Sequence, residues 1–388
     1  MARTYEQTHP WIDFRFDPRR LSPLTWKLLG EAESKCQHVA GVPLRPEVAK
    51  QLHTIYLSKG IHATTSIEGN TLSEQQVLAR IEGRLQLPKS REYLGREVDN
   101  ILEACNGIVH DVVSRRPLQL TPDRVNEFNR TVLEDLEVEE GVIPGVVRSH
   151  SVGVARYLGA PPEDCEYLLA RLCEWLGGPD FDPQSSEEAF TAALLKAVLA
   201  HLYIAWIHPY GDGNGRTARL IEFQLLVQAG VPLPAAHLLS DHYNTTRSRY
   251  YHELDKTSKP PFPVHRFVHY ALEGFVDELR QQLHVIREHQ MDVTWENYVH
   301  EIFRDQETKA RMRQKHLALD LPKAEVVPAA QVPLLSPRLA AEYAGKGSKT
   351  VTRDINALQT MNLIRRAPDG IIANRELIMA FLPLKAEE

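Results

Sequence analysis

His208-Pro-Tyr-Gly-Asp-Gly-Asn-Gly-Arg-Thr-Ala-Arg219 is the stretch that decides how this chain is read. It sets an imidazole, a carboxylate, an amide, three glycines and two arginines within twelve residues. Upstream, Phe190, Ala193, Leu194, Ala197, Val198, Leu202, Ala205 and Trp206 recur at three- and four-residue steps, which predicts an amphipathic to fully buried helix. Downstream, Arg216 to Gln228 carries Leu220, Phe223 and Val227 on one face, with Gly230 as a stop. Pro209, Gly211, Gly213 and Gly215 break the first helix and permit positive φ between the two. The stretch is therefore a helix–loop–helix crossing.

A glycine-rich loop entering a helix presents unpaired N–H groups at the positive end of the helix dipole, which suits an anion. Arg216 and Arg219 are three apart and can share a helix face beside that site, and guanidinium forks match phosphate oxygens. Asp212 offers a hard oxygen to Mg²⁺ on a polyphosphate. His208, at the loop's entry, can act as general base on a hydroxyl. Taken singly, a histidine at a helix end is usually structural and an arginine pair usually a solvated face. Taken together, these residues indicate phosphoryl or nucleotidyl transfer.

The stretch resembles the motif of the Fic family, His-Pro-Phe-x-Asp/Glu-Gly-Asn-Gly-Arg-x-x-Arg, with Tyr210 in place of Phe. The resemblance implies a protein adenylyltransferase that moves AMP from ATP to a Ser, Thr or Tyr hydroxyl. It implies His208 as base, Asp212 as Mg²⁺ ligand, Gly213, Asn214 and Gly215 as phosphate cradle, and Arg216 and Arg219 as contacts to the outer phosphates. ATP and Mg²⁺ are the implied substrate and cofactor. Gly215 argues against the phosphorylating branch, which has Lys there. Upstream, Thr64-x-x-x-Glu68-Gly69-Asn70 is similar to the family's inhibitory motif, in which the glutamate pairs with the second motif arginine, here Arg219. An acid at a helix C-terminus also sits at the unfavourable end of the dipole and gains from a cation. Tyr250-Tyr251 resembles a pair that lies against the nucleotide in some members, although two tyrosines packing in a helix read equally well. Removal of AMP by the same residues, with Glu68 orienting a water, is the alternative reaction.

Composition bounds the rest. With 388 residues the chain is long enough for two or three domains. A net charge of −6 gives no global nucleic-acid signature. Cys36, Cys105, Cys165 and Cys173 have no CxxC spacing, and a cytoplasmic setting fits them. No run suggests a membrane span or leader, and no histidine cluster suggests a transition metal.

In chain order, residues 1 to 45 read as an extended arm. A helix from Pro46 to about Ser66 precedes Glu68. Thr71-Leu-Ser-Glu74 reads as a capping box opening a helix through Ile81. Residues 88 to 116 read as a helix ended by Pro117, and Thr121-Pro-Asp as the cap of one reaching about Leu136. Gly141 to Arg148 and Ser151 to Tyr157 read as short β segments, the family's flap for an added target strand. Pro161-Pro162 opens a helix through Leu176, and Val264 to about His289 another. Residues 290 to 330 read as a charged helix and then a Pro/Ala-rich linker.

From Ser336 onward, two helices and a strand–turn–strand look like a winged helix. Between Ser336 and Arg366 six Lys/Arg stand against two Asp/Glu, a local net of +4. Lys349, Thr350, Thr352 and Arg353 would face a major groove if DNA binds, but such units also dock proteins or dimerise.

The expected fold is mainly α. It has an N-terminal arm and helical region (1–117), a Fic-type core with a β-hairpin flap (118–289), a helical linker (290–332) and a winged-helix domain (333–388). The expected partners are a protein bearing a hydroxyl side chain, a second copy in a homodimer, and DNA through residues 336–372. No membrane is expected. A DNA-binding regulator with a nucleotide-sensing body is the rival reading.

Overall fold

The structure is a computed structural model, and it describes residues 3–116, 118–154, 157–183, 185, 188–306 and 308–379. The chain divides into two compact units, Met1–Leu283 and His284–Glu388.

The first unit is built on helices α1 (Thr4–Thr8), α2 (Pro23–Gly41), α3 (Pro46–Ile67), α4 (Glu74–Ile81), α5 (Glu92–Val113), α6 (Pro122–Val132) and α7 (Pro162–Leu176). After these come α8 (Ala189–Ile207), α9 (Asn214–Gln228), α10 (Leu233–Ala236), α11 (Leu238–Thr245) and α12 (Arg247–Thr257). The long helix α13 (Val264–Ile302) contributes residues to both units. Among the described residues of this unit, β1 (Gly153–Val154) pairs antiparallel with β2 (Tyr157–Leu158).

At the centre lies α8, in which Leu194, Ala197, Val198, Leu199, Ala200, Leu202, Tyr203, Ile204 and Ile207 are fully enclosed. By length and composition α8 could cross a membrane. Here it is a core helix, wrapped by α9 and α7, and its apolar surface is covered by protein. In turn α9 packs on α5 and α6, while α3 packs on α11.

Local chemistry sets the helix starts. Ser22 caps α2 through Thr25 N, Thr121 caps α6 through Arg124 N, and each is followed by Pro at the first helical position.

Several boundaries differ from the sequence reading. The supposed arm contains the nineteen-residue helix α2, whose Leu28, Leu29, Ala32 and Cys36 are buried. The capping box of α4 is Ser73 with Gln76, two residues beyond the predicted one. Gly141 to Arg148 is a run of turns, with Gly141 (φ 85°) and Gly145 (φ 78°) left-handed; only the later half of the expected flap forms strands. Ala155 and Arg156 of that stretch, like the predicted helix stop Pro117, lie outside the described residues.

The second unit comprises the end of α13, α14 (Lys309–Asp320), α15 (Pro337–Tyr343), α16 (Ser348–Thr360) and an antiparallel pair, β3 (Ile364–Ala367) with β4 (Gly370–Ala373). Trp295, Val299, Phe303, Leu317, Val327, Val332, Leu339, Ile355, Leu358 and Ile371 share one core. The stretch expected as a linker thus contributes to that core. Val327 forms a bridge with Ile371, and Val332 is completely buried.

Candidate functional site

The α8–α9 crossing turns in six residues, and its two ends are both left-handed. His208, the C-cap of α8, has φ 50°, and Gly213, the N-cap of α9, has φ 78°. A β-carbon at Gly213 would come 2.9 Å from Asn129 Nδ2, so glycine is required there by both backbone and space. A left-handed histidine is held only if its surroundings dictate it, and here they do. Its N–H donates to the Ile204 carbonyl at 2.9 Å, and its carbonyl accepts from Arg148 Nε at 2.7 Å. Arg148 is buried and also donates to the carbonyls of His150 and Ala160, each at 2.6 Å. It therefore clamps three chain segments around the loop.

The loop is braced from within as well. Tyr210 N donates to Asn214 Oδ1 (2.9 Å) while Asn214 Nδ2 donates to the Tyr210 carbonyl (2.8 Å). Both ends of the Asn214 amide thus brace the loop, and one Nδ2 donor and the backbone N–H remain beyond those two bonds. Asn129 Nδ2 donates to the Asp212 carbonyl at 2.9 Å, and its Oδ1 accepts from Gly145 N.

The loop opens on a cavity of about 690 Å³. His208, Asp212, Gly213, Asn214, Gly215, Arg219, Tyr250, Tyr251 and Glu68 all line it, and Gly153 and Tyr157 of the hairpin lie on its wall. The structure thus brings together every predicted site residue except Arg216. That guanidinium is buried, with Nη1 3.3 Å from Glu97 Oε1 and Nη2 3.0 Å from Asp212 Oδ1. Asp212 Oδ1 also accepts from Gly213 N at 2.5 Å, yet the side chain remains 45% exposed.

Arg219 is almost wholly buried, and its Nη2 donates to Glu68 Oε1 at 2.5 Å and to the Thr64 carbonyl at 3.0 Å. Its Nε and Nη1 have no partner among the described residues. A buried guanidinium with unpartnered donors has the chemistry to take an oxyanion. Gly215 makes the pairing possible, because a β-carbon there would sit 2.2 Å from Glu68 Oε1. Burial acts to raise the Glu68 pKa, but Arg219 and Arg216 outweigh it and hold the carboxyl below its ordinary value. Burial, aided by Arg148, pushes His208 down to about 4, so its imidazole is neutral and able to accept a proton.

Sequence reasoning missed what stands behind the cavity. Tyr250 Oη lies 2.8 Å from His201 Nε2, and His201 Nδ1 lies 2.9 Å from Glu222 Oε2. Tyr243 donates to Glu222 Oε1 at 2.9 Å. With Nδ1 donating to Glu222, Nε2 is the nitrogen left to meet the Tyr250 hydroxyl. This chain fixes Tyr250 as a wall of the cavity, with the rings of Tyr243 and Tyr250 stacked 4.9 Å apart. Tyr251 is 39% exposed, so the two tyrosines are not equivalent. The available signal was an acid and a histidine within two otherwise apolar helix faces. Thr246 bonds Tyr270 and the His242 carbonyl and does not line the cavity.

A mainly helical bundle thus sets a glycine-rich turn, an imidazole, an acid and a buried arginine around one cavity, a lining with the donors that a phosphate-bearing ligand would use. Residues 119–226, the region that carries the loop, match the Fic/DOC family model.

Among curated relatives, the chain is 26% identical over 259 residues to the protein adenylyltransferase Fic of Nematostella vectensis, covering 66% of this chain and 57% of that one. It is 29% identical over 198 residues to protein adenylyltransferase fic-1 of Caenorhabditis elegans, covering 50% and 35%. The chain therefore spans between about a third and somewhat over half the length of these relatives. A Fic family protein from Desulfovibrio desulfuricans has a similar structure, with a TM-score of 0.57 at 19% identity over 96% of this chain and 100% of that one. Fic-1 of C. elegans gives 0.54 at 21% identity over 68% and 73%. At these identities the structures speak for the fold.

Proposed function

We propose that the cavity binds ATP and that the chain transfers AMP to a hydroxyl side chain of a protein, with Glu68 restraining the reaction. The observation that carries this reading is the Arg219–Glu68 pair beside a neutral His208. The buried arginine has two nitrogens, Nε and Nη1, that are without a partner among the described residues and can be offered to a phosphate, while its third, Nη2, is shared by the Glu68 carboxylate and the Thr64 carbonyl.

In the proposed reaction His208 accepts the hydroxyl proton, and the freed oxygen attacks the α-phosphorus. A new P–O bond forms to the protein as the α–β P–O bond breaks, and pyrophosphate carries the electron pair away. The N–H groups of the first turn of α9 stabilise phosphate charge during this step. With Glu68 displaced, Arg219 seats the outer phosphates, while Arg216, held by Glu97 and Asp212, contributes field rather than contact. Asp212 is an exposed hard-oxygen donor at the cavity and fits Mg²⁺, which keeps several waters and needs few protein ligands. Such an ion would offset phosphate charge.

The test is incubation with α-labelled ATP of the chain as isolated, Glu68→Gly and Glu68→Gly/His208→Ala. Label on protein should rise in the first variant and fall by roughly 10²–10⁴-fold on loss of the base. Label in no variant overturns the proposal. Release of AMP from a labelled protein that requires Glu68 would reverse the proposed direction.

A further inference from the structure

The surface of α16 takes no part in the proposed transfer. Its sequence, Ser348-Lys-Thr-Val-Thr-Arg-Asp-Ile-Asn-Ala-Leu-Gln-Thr360, sorts cleanly by burial. Val351, Ile355 and Leu358 enter the core of the second unit, while Lys349, Thr352, Arg353, Asn356, Gln359 and Thr360 are exposed. The helix has a single acid, Asp354, and it faces inward. Arg313 binds it through Nε at 2.6 Å and Nη2 at 3.1 Å, with further bonds from Gln314 (2.9 Å) and Tyr343 (3.0 Å). Because the acid is buried and neutralised, the exposed face holds only cations, amides and hydroxyls.

The neighbouring elements extend that face. Arg366 of β3 donates to Asn356 Oδ1 at 2.7 Å and to Gln359 Oε1 at 2.8 Å, so the hairpin sets its cation against the helix. Other cations of the region are spoken for. Arg338 binds Asp320, and Arg365 forms two bonds to Glu376. Among the described residues, Lys346, Lys349, Arg353 and Arg366 have no carboxylate partner. A four-residue turn containing left-handed Gly345 (φ 71°) joins α15 to α16, which makes the pair a helix–turn–helix backed by a hairpin.

We propose that this is a winged helix unit that binds duplex DNA, with α16 in the major groove. An α-helix fits that groove by diameter. Lys349, Thr352 and Arg353, on its first two turns, are the side chains that reach base edges. Lys346 in the turn and Arg366 on the hairpin contact phosphates to either side, as positioning contacts that carry no sequence information. An anionic protein surface would gain from the cations. Asn356 and Gln359 serve to hold Arg366, which leaves Lys349, Arg353 and the exposed Thr352 hydroxyl together at the start of the helix, a set matched to base edges rather than to charge alone.

The experiment uses the full chain with a fluorescein-labelled duplex, first of random sequence and then of a sequence selected from a randomised pool. The affinity for both should fall with salt along a straight log–log line. Arg353→Ala should weaken the selected duplex by roughly ten- to a hundredfold and random duplex much less. Arg366→Ala should weaken both alike, and Lys89→Ala, on the first unit, neither. The proposal is overturned if no sequence is enriched, if heparin competes as well as the selected duplex, or if Arg353→Ala binds like the parent chain. None of these outcomes depends on AMP transfer.

Discussion

At the scale of single residues, Gly159 shows how little of the site's tolerance is written locally. Nothing in Tyr157-Leu-Gly-Ala160 marks it. Yet a β-carbon at Gly159 would stand 2.8 Å from both Arg148 Nη2 and His208 Cβ. Neither neighbour can yield, since Arg148 is bonded to four carbonyls and His208 to two partners. Gly159→Ala should therefore cost about 1–3 kcal/mol in urea denaturation. Gly107, on the exposed side of α5 with no atom near its missing side chain, is the control. There alanine should add about 0.5–1 kcal/mol, because glycine weakens a helix interior. Equal effects at the two positions would show that the clamp around His208 is not tight. Of the residues that face the cavity, those from His208 to Arg219 were legible because their chemistry is crowded into twelve positions, and Glu68, Tyr250 and Tyr251 through short motifs of their own. Arg148, Asn129, His201 and Glu222 are scattered through the chain, and only the fold gathers them.

At the scale of elements, the end of α3 is held from two sides. Arg247 at the start of α12 donates to the Ile67 carbonyl at 2.6 Å and reaches the Ser66 carbonyl at 3.4 Å, as a cation at a helix C-terminus should. Across from it, Asn70 donates to the Leu94 carbonyl (2.9 Å) and to Glu97 (2.7 Å), the residue that also holds Arg216. Glu68 lies between these anchors. On the proposed function, Arg247→Ala should loosen the tip and raise AMP labelling above that of the parent chain, though less than Glu68→Gly does. Unchanged labelling would mean that Asn70 and Glu97 suffice. The elements were legible where periodicity was long, as in α8 and α5. They were missed where another signal competed. The prolines and aromatics before Ser22 hid α2, although its Ser-Pro start has the same form as the Thr-Pro start read correctly at α6. The Pro- and Ala-rich stretch before Ser336 has a linker's composition, and Val327 and Val332 find partners only in the assembled unit.

For the first unit as a whole, burial of histidine sets the response to acid. His208 and His242 are pushed down to about 4 and His237 to about 3, chiefly by burial. A histidine whose folded pKa is depressed binds its proton only after unfolding, so its contribution is complete above about 6.5 and declines as pH falls toward the folded value. Glu278 opposes them. Burial and the nearby Asp241 push it up to about 7, so it takes a proton in the folded state first and favours folding as pH falls through that value. Smaller shifts run both ways, with His9 and His53 lowered and Glu97 and Asp241 raised. Three large downward histidines outweigh one large upward acid. Unfolding between pH 6.5 and 4.5 should therefore take up about two protons net, and the urea midpoint should fall with acidification. Glu278→Gln removes the opposing group and should steepen that fall by about one proton. His242→Asn, which deletes one depressed histidine, should flatten it by about the same amount. A midpoint that rises on acidification, or an unchanged slope in both variants, would show that these buried groups do not govern how the unit responds to pH.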